Sequence, residues 1–153
     1  MKLANALSQR GELQTHIRQL ESRLMNNALV QEGEEPAEDP RELLSELRAD
    51  YARLEMLISA INRTNDRTAA GEGRSLSDLL AERDCRRGRL AVLRNFLDSA
   101  SATVSRRTVG EIRIRSSVSV RELQRDVDAQ AKALRELEER VQELNWTTEL
   151  LEN

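Results

Sequence analysis

The chain has 153 residues, one third of them charged, and the two signs nearly cancel to a net charge of -3. Interspersed charges of so small a sum create no field that would gather nucleic acid or anionic lipid, so neither is an expected partner. One Tyr, one Phe and one Trp leave Leu, Ile, Val and Ala to build the core, which suits helix packed on helix better than a sandwich. The first helix is expected over residues 2–29, with Leu3, Ala6, Leu13, Ile17, Leu20 and Leu24 at three- and four-residue spacings. Arg10 occupies one slot of that stripe. An acidic loop, 30–39, carries Gly33 and Pro36. It ends in Asp39-Pro40, an N-cap followed by the residue that best tolerates the first helical position, with Glu42 placed to complete a capping box.

The second helix, 40–65, has the cleanest pattern: Leu44, Leu47, Tyr51, Leu54, Ile58 and Ile61 fill consecutive heptad slots. A polar loop, 66–74, with Gly71 and Gly73 follows. Ser75 and Asp78 then open a third helix, 75–100, whose stripe is Leu76, Leu79, Leu90, Leu93 and Leu97. Residues 101–119 are expected as a β segment. Ile112, Ile114, Ser116, Val118 and Val120 alternate with polar residues, and Thr103–Val109 could supply a hairpin mate across Gly110. Ser119 and Glu122 start a fourth helix, 120–145, and a tail, 146–153, closes the chain. These elements make a mostly α fold in a single domain, 1–153. The expected architecture is an elongated antiparallel helical bundle of about four heptad-patterned helices, with a short β-hairpin or strand near residues 103–119.

No apolar run approaches the roughly 18–20 residues of a membrane span, and no signal peptide is recognisable. The lone Cys85 cannot form an intrachain disulfide, so a cytoplasmic location is expected. Self-association is expected as well. Cys85, Val92 and Phe96 lie opposite the leucine stripe of the third helix, and a helix apolar on two sides calls for a second neighbour. An isolated strand at Ile112, Ile114 and Val118 would also need a sheet. Val92, Phe96, Ile112, Ile114 and Val118 are therefore the expected surface of a dimer or larger homo-oligomer.

Catalysis by the usual residues has little support, and a non-enzymatic role is expected. The only histidine, His16, is read as a solvated side chain on the flank opposite its helix's stripe, and Cys85 as an inert thiol in the second apolar face. No Gly-rich loop, nucleophile elbow or Cys/His metal spacing is present, and no cofactor is expected. The acidic loop is the one candidate for a divalent cation, through Glu32, Glu34, Glu35 and Glu38, because hard cations take carboxylate oxygens. Arg10, Arg83 and Arg87 fall in or beside apolar stripes. A buried arginine must be paired, so they are expected to form a polar layer with acidic partners such as the loop or Glu21. Helix-end clusters, Asn62, Arg63 and Asn65 on one side and Asn145, Trp146 and Thr147 on the other, can cap carbonyls or line a ligand site. Trp146 is also placed to anchor the tail.

Met1–Leu7, Asn27–Pro36, Ile61–Asn65 and Asn145–Leu150 together resemble a family of small bacterial proteins labelled septicolysin-like, over nearly the whole chain. The resemblance implies a bacterial helical protein of unknown function with no established catalytic residues; the label itself implies membrane action. Three functions follow as expectations: a self-associating scaffold or adaptor, a cation-dependent binding protein or enzyme using residues 32–39, and a membrane-active protein.

Overall fold

The computed structural model describes residues 1–102 and 114–152. Four helices account for most of them: α1, Leu3–Asn26; α2, Pro40–Arg67; α3, Leu76–Ser101; and α4, Val120–Thr147. The fold is thus mostly α, a helical bundle with one short sheet. The local signals account for the boundaries. Asp39 accepts a hydrogen bond from the Arg41 backbone N–H, with Pro40 at the first helical position. The capping box of α3 is complete: Ser75 Oγ accepts from the Asp78 N–H, and the Asp78 carboxylate accepts from the Ser75 N–H at 2.8 Å. That donation is the leading cause holding the Asp78 carboxyl below its ordinary range. Ser119 Oγ accepts from the Glu122 N–H to open α4.

The helices contribute to two compact units, Met1–Ala69 with Leu144–Asn153, and Ala70–Glu143. In the first, α1 and α2 run antiparallel. Its buried apolar side chains are Leu3, Ala6, Ile17 and Leu20 of α1, Leu43, Leu54, Ala60 and Ile61 of α2, and Leu144 and Leu150. The C-terminal tail is stitched to both helices. The Leu3 N–H donates to the Thr148 carbonyl and the Leu150 N–H to the Met1 carbonyl, around an antiparallel bridge between Lys2 and Glu149. No side chain caps α1; the tail carbonyl satisfies one of its orphan donors instead. Thr64, fully buried in α2, donates from Oγ1 to the Ala60 carbonyl and accepts from the Leu151 N–H. Leu150, not Trp146, anchors the tail: Leu150 is buried, whereas Trp146 is 60% exposed.

In the second unit, Leu90 and Leu97 of α3 pack with Val127 and Leu134 of α4, flanked by Leu93, Val120, Leu123 and Ala131. A two-stranded antiparallel hairpin precedes α3: β1, Ala69–Gly71, and β2, Arg74–Ser75. It lies where a polar loop is expected from the sequence. Its turn residues Glu72 and Gly73 both have positive φ, 54° and 73°, the geometry that matches the twist of a tight hairpin. The β segment expected at 101–119 has no counterpart at its described ends: Ser101 closes α3, and Ile114–Ser119 form no strand. The expected strand positions 103–113, Ile112 among them, lie outside the described residues.

Candidate functional site

On α2, the buried face takes in only one edge of the heptad stripe. Leu43, Leu54 and Ile61 turn inward and are buried, while Leu44 is 42% exposed and Tyr51 54%. Leu47 and Ile58 are half-buried between them. At 3.6 residues per turn, Leu44, Leu47, Tyr51 and Ile58 lie about 40–100° around the helix from Leu43 and Ile61. The apolar arc therefore extends well beyond the part that is covered. A surface cleft of about 680 Å³ runs along this arc, lined by Leu47, Arg48, Tyr51, Ala52, Leu54, Glu55, Ile58 and Ser59. A contiguous apolar stripe of this kind, edged by charge, is the usual mark of an interaction surface.

The outer face of α3 is also open. Val92 is 67% exposed and Phe96 44%. Phe96 lines a smaller cleft, of about 240 Å³, together with Ser99, Ala100 and Ile114–Ser117. Of the expected association surface, Phe96 and Ile114 are thus brought together, Val92 and Val118 are exposed, and Ile112 is outside the described residues. Cys85 shares this openness: it is exposed, not the buried thiol expected from the pattern.

The polar groups are engaged in ties between elements. Arg23 at the end of α1 grips Glu38 with Nε 3.1 Å from both carboxylate oxygens and Nη2 on one of them. Hydrogen bonding to Arg23 is the main reason the Glu38 carboxyl sits below its ordinary range, and the same contact raises Arg23. Buried Asn27 completes this clasp: its Nδ2 donates to the Arg23 carbonyl, and its Oδ1 accepts from the Glu38 N–H. Glu32, Glu34 and Glu35 stand exposed on the same loop. Among the described residues no group of three or more His, Cys, Asp or Glu is arranged to hold a metal ion.

The expected polar-layer arginines are dispersed. Arg10 is half-buried in α1. Arg83 pairs with its neighbour Asp84, and Arg87 reaches across to Glu138 of α4. Glu82 is the shared acceptor of Arg74 and Arg86, which hold it below the usual carboxylate range. Of the helix-end residues, Arg63 donates to the Glu152 carbonyl, and the Thr147 carbonyl accepts from Lys2 Nζ. Asn62 is exposed, and Asn65 and Asn145 are half-buried.

His16 faces α2 rather than solvent on the far flank. It lies three residues after Leu13 and four before Leu20, and that spacing puts it on their side of the helix. Its Nδ1 is 2.6 Å from Asp50 and its Nε2 3.5 Å from Glu46. A cleft of about 320 Å³ lined by Gln9, Glu12, Leu13, His16, Asp50, Arg53 and Leu57 surrounds it. With Asp50 bonded to one ring nitrogen and Glu46 near the other, the imidazole ties α1 to α2. Nothing in the local sequence marks Arg23 and Asn27 as partners of the acidic loop, because that pairing exists only once the loop has folded back on α1.

A comparison with curated proteins found no match. The chain is similar to a solved structure described as that of a functionally unknown conserved protein from Corynebacterium diphtheriae, with 38% identity, 99% of each chain covered and a TM-score of 0.93. Nothing in these matches carries the septicolysin-like label, and that part of the resemblance finds no support. The matching family model spans residues 10–150, and the chain belongs to the family of unknown function DUF6847.

Proposed function

We propose that this protein is a non-enzymatic helical scaffold or adaptor that acts by self-association. The observation that carries this reading is the open stripe of α2, where Leu44 and Tyr51 are exposed beside half-buried Leu47 and Ile58. Solvating such a stripe is costly at about 25 cal/mol per Å² of apolar surface, and a second helix relieves that cost. The polar groups support the same reading, since Arg23, Glu38, His16 and Asp50 are all committed to ties within the chain. A reducing, cytoplasmic setting belongs to the proposal and fits the exposed free thiol of Cys85. The membrane-active reading gains nothing from the helices: no described helix is long and apolar enough to cross a membrane. Light scattering coupled to gel filtration tests the proposal. A dimer or larger closed assembly at micromolar concentration is expected, and a monomer overturns it.

A further inference from the structure

We infer that the occupant of the α2 stripe is the same stripe of a second copy, packed antiparallel about a two-fold axis in a register set by Arg48 and Glu55. This rests on the self-association proposed above and names its geometry. Arg48 and Glu55 are exposed on the outer edge of the stripe, and neither forms an ion pair with any described residue. In the heptad that places Leu44, Tyr51 and Ile58 at a and Leu47 and Leu54 at d, Arg48 and Glu55 are both e positions, and Asp50 is a g position.

The two possible orientations then differ in charge. A parallel pair brings g of one helix beside the following e of the other, which sets Asp50 against Glu55 of the second copy, a like-charge contact. An antiparallel pair brings e beside e. With Tyr51 layered on the partner's Leu54 and Leu47 on the partner's Ile58, the same register sets Arg48 beside the partner's Glu55. The two-fold axis repeats every one of these contacts. Asp50 is then left on the inner side, where His16 of its own chain already engages it. Exposed charge pairs contribute little affinity; here they choose the orientation and the register, while the apolar layers supply the attraction.

Charge reversal tests this on the full chain. Arg48→Glu and Glu55→Arg each create two like-charge contacts per dimer and are expected to weaken dimerisation at least about tenfold. Mixing the two variants in equal amounts restores opposite charges at both contacts, so a heterodimer of wild-type stability forms, and so does a homodimer of the double variant. Neither side chain forms an ion pair with a described residue of its own chain, so circular dichroism and Tm of the monomer should be unchanged. If the wild type dimerises but the single variants dimerise equally well, or if mixing fails to rescue them, the register is overturned while self-association stands. Dimers broken instead by Val92→Asp with Phe96→Asp would move the interface to α3 and also overturn it. A monomeric wild type overturns both this inference and the proposed function.

Discussion

Thr64 is the point at which the α2 interior meets the C-terminal tail, and replacing it separates two roles of one side chain. The residue is fully buried, its hydroxyl donates 2.7 Å to the Ala60 carbonyl and accepts 2.9 Å from the Leu151 N–H. Thr64→Val keeps the shape and removes both bonds. The Ala60 carbonyl serves the helix as well, so losing the hydroxyl costs it little. The Leu151 N–H, in a half-buried residue, loses its acceptor, and an amide stranded in this way costs about 1–3 kcal/mol. For a chain of this length that is a fall in Tm of roughly 3–10 °C. Thr64→Ser keeps the hydroxyl and loses only a methyl, so it should cost about 1 kcal/mol while leaving the tail bonded. Hydrogen exchange read by mass spectrometry distinguishes the two: amides of Thr148–Glu152 should exchange faster in Thr64→Val and at the wild-type rate in Thr64→Ser. Equal tail exchange in wild type and Thr64→Val, with an unchanged Tm, would refute the role of the Thr64 hydroxyl in holding the tail.

Acidification should destabilise the fold through Glu38, Glu82, Glu149 and Asp78. Each is held below its ordinary value in the folded chain, so its contribution is complete above the unfolded value and is lost as pH falls through the folded one. Tm should therefore drop as pH falls below the usual carboxylate range, and Glu82→Gln should flatten part of that drop. Leu90→Ala removes a side chain only 2% exposed in the α3–α4 core and is expected to cost about 2–5 kcal/mol by urea unfolding. Val92→Ala, on the open face two residues away, should change stability by less than about 0.5 kcal/mol in the monomer. Calcium, magnesium and manganese at millimolar concentration should leave Tm unchanged, because Glu38 and Asp39 are already engaged by Arg23 and by the Arg41 N–H. A cation-dependent rise in Tm would restore the acidic loop as a binding site.

Helix starts were legible because their chemistry is local. Asp39-Pro40, Ser75 with Asp78, and Ser119 with Glu122 each satisfy donors within one turn, and the structure places helices after all of them. The hairpin at Ala69–Ser75 was hidden because its turn needs positive φ at Glu72, a residue that carries no signal for it. The Arg23–Glu38 clasp was hidden for a different reason. Its partners stand fifteen residues apart, and their meeting depends on Asn27 folding the loop back. The expectation of a solvated His16 on the far flank does not hold, because its spacing from Leu13 and Leu20 turns it toward α2, where it meets Asp50.

The α2 heptad shows what a periodic pattern does and does not determine. Leu44, Leu47, Tyr51, Leu54, Ile58 and Ile61 announce a seam, but the count of slots is silent on which helix fills it. α1 covers the inner edge, burying Leu54 and Ile61 and leaving Leu44 and Tyr51 uncovered. A helix selected only to pack on α1 would gain nothing from apolar residues at those two positions, and polar residues there would be more soluble. Leu44, Leu47, Tyr51 and Ile58 share the open side of α2, and Arg48 and Glu55, neither in an ion pair with a described residue, stand on its outer edge. This open apolar arc is what the proposed second copy of α2 would cover, and the opposite charges at Arg48 and Glu55 are what would orient it.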